Sequence, residues 1–129
     1  MRSATVTTVV DAPAERVFDF LSSIDNLPVW ATEFARELRY EGDVAIVVNG
    51  LGEFAVTIDA DATTGVIDMF AGPSGKEPAR FPTRVVPLGG GRTAYTFTMF
   101  QNPGMPDELF EAQHASLRRE LDDLYRVLG

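Results

Sequence analysis

The chain has 129 residues, 45% hydrophobic and 23% charged, the balance of one globular domain large enough to bury a core. Its formal net charge of −8, with Lys76 as the only lysine, argues against nucleic acid or an anionic membrane surface as a partner. With no cysteine and one histidine, disulfides, thiolate sites and cysteine nucleophiles are excluded, and no metal site is expected.

Thr5 to Val10 is a β-branched run and reads as a strand. Pro13 suits a first helical position, and Val17, Leu21 and Ile24 recur at helical spacing, so a helix with one buried side is expected there. Pro28 then marks a short helix or turn over 25–31 that delivers Trp30. Residues 33–41 alternate, with Phe34, Arg36, Leu38 and Tyr40 on one face, which predicts a half-buried strand.

Val44 to Val48 runs into Asn49-Gly50, a hairpin signal, and Phe54, Val56 and Ile58 alternate in the partner strand. A turn at Thr63-Thr64-Gly65 leads into Val66 to Phe70, and 72–78 reads as a loop. Arg80 to Leu88 and Thr93 to Gln101 form a further hairpin around Gly89-Gly90-Gly91-Arg92. Pro82 marks an edge position or a bulge, and an edge there could pair with a second copy to give a homodimer.

From Pro106 a helix of about 22 residues is expected, with Phe110, His114, Leu117, Leu121, Leu124 and Leu128 in one apolar stripe. The order is therefore strand, two short helices, six or so antiparallel strands and a long amphipathic helix, an α+β domain spanning 1–129. A curved sheet wrapped round one helix does not close along its whole length and leaves a cavity, a common kind of ligand site. The nuclear-transport-factor type of cone-shaped fold fits less well, because it places its long helices before the sheet.

Two groups of residues carry a resemblance: Val10-Asp11-Ala12-Pro13-Ala14-Glu15-Arg16-Val17-Phe18-Asp19-Phe20-Leu21 with Asn26-Leu27-Pro28-Val29-Trp30, and the later segments Thr64-Gly65-Val66-Ile67-Asp68, Arg84-Val85-Val86-Pro87 and Pro103-Gly104-Met105. On these the chain resembles the START/birch-pollen-allergen (SRPBCC) superfamily, and within it small bacterial polyketide cyclase/dehydrase-like proteins. The resemblance implies a helix-grip fold with an apolar pocket. Its members include carriers of small hydrophobic molecules, aromatase/cyclases and co-chaperones, so three functions are open here. They are carrier-like binding of a hydrophobic or aromatic ligand, cyclase/dehydrase-like catalysis in the same pocket, and protein interaction through the outer face of the sheet.

His114 and Arg36 are the candidate catalytic residues. His114 lies on the helix stripe and could act as acid or base; the alternative is a half-exposed side chain bonded locally. Arg36 is the charged member of an apolar face; an inward guanidinium needs an anion, either on a ligand or on a protein acid such as Asp68, and the alternative is a register bulge that turns Arg36 outward. Asp68 and Arg84 are the expected cross-strand pair. Trp30, Phe34, Tyr40, Phe54, Val56, Met69, Phe110, His114 and Leu117 are the candidate ligand-binding residues. Met69, Met99 and Met105 read as ordinary packing. The expected partner is a small hydrophobic molecule, with no cofactor. No apolar run approaches the ~20 residues of a membrane span and no basic-then-apolar leader is visible, so a cytoplasmic protein without stable membrane association is expected.

Overall fold

The computed structural model describes all residues, 1–129. Seven strands form one antiparallel sheet: β1 (Ser3–Val10), β2 (Glu37–Glu41), β3 (Val44–Asn49), β4 (Gly52–Asp61), β5 (Val66–Gly72), β6 (Ala79–Gly89) and β7 (Arg92–Phe100). Their spatial order is β1-β7-β6-β5-β4-β3-β2, so β2 to β7 form a meander and β1 returns beside β7. Between β1 and β2 lie α1 (Ala14–Leu21), a single 3₁₀ turn (Ile24–Asn26) and the one-turn α2 (Leu27–Trp30); α3 (Asp107–Leu128) closes the chain. This is the expected helix-grip arrangement. No helix is long and apolar enough to cross a membrane.

The helix boundaries follow from proline. Pro13 and Pro106 each take an extended conformation as the cap residue, one position before the first helical residue. Proline lacks an N–H, so neither leaves a backbone donor unsatisfied there. The α3 stripe does bury itself: Phe110, Leu117, Leu121, Leu124 and Leu128 are all at most 6% exposed. They join Val10, Val17, Leu21, Trp30 and Tyr95 in one core. The end of α3 is tied to the end of β1 by Asp11 N–H donating to the Gly129 carbonyl at 2.9 Å.

The turns explain several small residues. Gly90 and Gly91 both have positive φ (64° and 76°) between the paired Gly89 and Arg92, the geometry of a two-residue type I′ hairpin. Gly65 has φ of 78°, and a Cβ there would lie 2.3 Å from the Val85 carbonyl oxygen. The β3–β4 hairpin closes over Gly50-Leu51, since Asn49 itself pairs with Gly52. Asn49 instead holds the turn with its side chain, accepting the Leu51 N–H at 2.8 Å.

Four expectations need correction. The strand expected over 33–41 begins only at Glu37, and the preceding residues form a turn in which Ala35 N–H reaches the Ala31 carbonyl at 2.7 Å. Tyr40 does not face inward: it is 52% exposed on the edge strand, and its hydroxyl donates to Asp25. Asp68 pairs with Arg80 at 2.8 Å and not with Arg84, because the register sets Asp68 opposite Pro82 and Arg84 opposite Val66. Pro82 lies on an interior strand; the sheet's edges are β1 and β2. It is tolerated because β6 pairs with β7 only from Thr83 onward, which leaves Pro82 with β5 as its one partner.

Candidate functional site

The same loss of pairing that accommodates Pro82 opens the molecule. Beyond Thr83↔Phe97 the two strands part: Ala79–Pro82 stay with β5, while Thr98–Phe100 pair with β1. Ala79, Arg80 and Phe81 on one side, and Phe97, Met99 and Phe100 on the other, line a cavity of about 1030 Å³. It is roofed by the N-terminal half of α3 through Leu109, Ala112, Gln113, Ser116 and Leu117. The C-terminal half of α3 is sealed onto the core by Leu121, Leu124 and Leu128, so the space lies under the helix before them, where Ala112, Gln113 and Ser116 stand between Leu109 and Leu117. The volume is at the upper end of ordinary small-molecule sites, and 18 of the 32 lining residues are hydrophobic.

Of the residues expected at the site, Trp30, Phe34, Phe54, Val56, Met69 and Leu117 line the cavity, and so does Arg36. Met69, Met99 and Met105 are all in the lining, which gives it side chains able to change shape at little cost. Tyr40, Phe110 and His114 are not in the lining. Phe110 is core, with the Arg2 guanidinium 4.8 Å above its ring. His114 is half-buried, with its ring 6.4 Å from that of Phe110, and its Nε2 accepts from Arg118 Nε at 3.4 Å.

Arg36 makes no ion pair or hydrogen bond through its guanidinium; the acid foreseen for it, Asp68, is engaged by Arg80. Its backbone N–H bonds the Val48 carbonyl at 3.1 Å, which fixes its position at the start of the β2–β3 ladder. Arg36 is exposed and not inward as expected, so it borders the rim of the cavity as an unpaired cation.

One residue was not foreseen. Glu120 follows Leu117 by three positions and precedes Leu124 by four, so it falls on the buried face of α3 and is only 6% exposed. A carboxyl there requires donors, and it has two: Oε2 accepts the backbone N–H groups of Glu33 at 3.1 Å and Phe34 at 3.0 Å. Asn49 Nδ2 donates to the Phe34 carbonyl at 2.8 Å, so the turn before β2 is held on both sides by side chains and not by a ladder. Burial pushes the Glu120 carboxyl up to about 7, against the opposing effect of those two N–H groups. Beside it Arg119 clamps Glu33 with two bonds of 2.8 and 2.7 Å and holds that carboxyl below its ordinary value. The sequence signal for Glu120 was its phase in the apolar stripe, which a charged residue hides when the stripe is read for hydrophobes alone.

Two buried polar atoms have no partner, the Trp30 indole Nε1 and the Tyr95 hydroxyl. The rings meet edge to face with centroids 6.1 Å apart. Burial raises the Tyr95 hydroxyl above its ordinary value, so it stays protonated.

The architecture recurs in solved structures. The protein XoxI from Bacillus cereus is 14% identical with a TM-score of 0.77, over 99% of this chain and 96% of that one. The ZhuI aromatase/cyclase from Streptomyces sp. R1128 is 20% identical with a TM-score of 0.68, over 98% of this chain and 90% of that one. The Aha1 dimer from Colwellia psychrerythraea is 12% identical with a TM-score of 0.74, over 99% and 96%. At these identities the likeness is one of fold. No curated protein matches the sequence. The family described as polyketide cyclase / dehydrase and lipid transport matches residues 1–129, and with the START-like helix-grip fold and the groove under α3 it establishes that the chain belongs to that family.

Proposed function

We propose that this protein binds a small hydrophobic or aromatic molecule in the cavity between the sheet and α3, in the manner of a carrier. The observation that carries the reading is the cavity itself: about 1030 Å³, with 18 hydrophobic residues among its 32 lining residues, in a chain of 129 residues. Apolar wall left wet in an open groove of that size is costly, and a hydrophobic molecule that covers it removes the cost. The family relationship supports the same reading. Native mass spectrometry of protein purified from its own host is the test. The expected result is a co-purified apolar species, released on denaturation. Absence of any adduct, together with no rise in melting temperature across a panel of apolar compounds, would overturn it.

A cyclase- or dehydrase-like activity in the same cavity is a second reading, favoured by one specific observation. The lining holds both an unpaired guanidinium, Arg36, and a buried carboxyl, Glu120. In such a reaction Arg36 would polarise a carbonyl or hold an enolate, and Glu120 would move the proton. The interaction-module reading has less support, because it calls for a filled interior. Single-turnover assays on a poly-ketone substrate distinguish the first two. Arg36→Gln and Glu120→Gln should each abolish turnover while leaving binding in place if catalysis is the function.

A further inference from the structure

We propose that Oε1 of Glu120 selects the ligand by accepting the hydrogen of a hydroxyl group on an otherwise apolar, uncharged molecule. The inference rests on the cavity-binding reading and adds to it the chemical class of the ligand.

The two oxygens of Glu120 are not equivalent. Oε2 is saturated by the Glu33 and Phe34 backbone donors. Oε1 receives no hydrogen bond from the protein, yet it is not sealed off: it is absent from the buried atoms that lack a partner, and Glu120 is part of the cavity wall. A carboxyl that served only to hold the 33–34 turn needs one oxygen. The other belongs to a lining residue, and an acceptor left unpaired when an apolar molecule dries that lining is costly. A donor carried by the ligand removes that cost.

The charges around the site choose among donors. Glu33, from the turn, is neutralised by the two-bond clamp of Arg119 from α3. Arg36, close enough to the turn to act on Glu33, opposes a cationic amine there, while Glu77 in the 73–78 loop leaves an unpaired acid on another part of the lining. An acidic head group placed at Glu120 would set two carboxylates against each other. A neutral alcohol or phenol meets neither objection. The same carboxylate fastens the turn that carries Phe34 into the cavity, so a hydroxyl bound at Oε1 is also registered against that aromatic wall.

The experiment is fluorescence titration of the full chain at pH 8 with four probes that share one ring system: 9-phenanthrol, phenanthrene, phenanthrene-9-carboxylate and 9-(aminomethyl)phenanthrene. At that pH the carboxyl is ionised and the phenol is neutral. A hydrogen bond to a charged acceptor should make 9-phenanthrol bind about tenfold tighter than phenanthrene. Glu120→Gln keeps an acceptor for the two backbone N–H groups and turns an amide N–H₂ toward the cavity. It should cut that preference, read as the ratio of the two affinities, about fivefold, with the circular dichroism spectrum unchanged. Equal affinity for phenol and hydrocarbon, or an unchanged preference in Glu120→Gln, overturns the assignment and leaves the cavity reading standing. Tightest binding of the carboxylate or of the ammonium probe overturns the ligand class. If no probe binds, this inference falls, and the cavity-binding reading is decided separately by the native mass spectrometry and melting-temperature panel.

Discussion

The Glu120 carboxylate on α3 and the backbone N–H of Phe34 meet at 3.0 Å, 86 residues apart in the chain. That contact joins the roof of the cavity to its wall. It replaces a strand pairing that the alternation of residues 33–36 seemed to promise, and it places a titratable group where water is nearly excluded.

Stability should therefore depend on pH through Glu120. In the fold its carboxyl is raised to about 7 from an ordinary 4.5, so the folded state holds the proton more tightly than the unfolded chain. The stabilising effect of this group is fully present below about pH 4.5 and is lost as pH rises through about 7. The gap corresponds to about 3 kcal/mol at most. Denaturant melts of wild type and Glu120→Gln at pH 5 and pH 8 check this. The variant should gain relative to wild type as pH rises; parallel pH profiles would show that Glu120 does not titrate in this range.

Gly65 and Gly90 should respond differently to alanine, although both have positive φ. At Gly90 nothing lies within 4 Å of an added Cβ, so Gly90→Ala pays only the left-handed penalty of about 1–2 kcal/mol. At Gly65 the Cβ would also run into the Val85 carbonyl at 2.3 Å, an oxygen fixed in the sheet. Gly65→Ala should cost clearly more than Gly90→Ala in equilibrium unfolding, and equal costs would mean that the 63–65 turn yields freely.

Access to the cavity should be controllable from its roof. Ala112 is exposed yet contributes to the lining, so Ala112→Trp should weaken binding of a hydrophobic probe about tenfold or more with little loss of melting temperature. His114→Ala, two positions along the helix but outside the lining, should leave that affinity within about twofold. A reversal of the two effects would place the binding site elsewhere on α3.

Thr93 is fully buried, and its hydroxyl donates to the Ala12 carbonyl at 2.7 Å, joining the start of β7 to the entry of α1. Thr93→Val keeps the shape and strands that carbonyl, which should cost about 1–3 kcal/mol in chemical denaturation. A smaller effect would indicate that water reaches Ala12 in the variant.

The amino-acid sequence determined the order of elements and nearly all of their bounds, because period and punctuation are local properties. The step of three and four from Phe110 to Leu128 can only be a helix with one buried side, and Gly90-Gly91 between alternating runs can only be a tight hairpin. The residues of the first thirty positions and the later segments carried the family likeness for the same reason: they set turns and caps. A third of the apolar lining, Trp30, Phe34, Phe54, Val56, Met69 and Leu117 of 18 hydrophobic residues, was legible too, since inward-facing hydrophobes on a curved sheet have few places to go.

The polar chemistry of the site was decided by tertiary structure alone. The sequence offered His114 as the titratable residue of the stripe, yet its place near the open end of the helix leaves it outside the lining and bonded to Arg118. Glu120 is local to nothing that explains it; its donors come from Glu33 and Phe34, which only the fold brings near. Arg36 lacks a protein acid because its exposed side chain stands before β2, three strands from the β5 that carries Asp68. Burial and partner choice are properties of the space between elements, and no pattern along the chain encodes them.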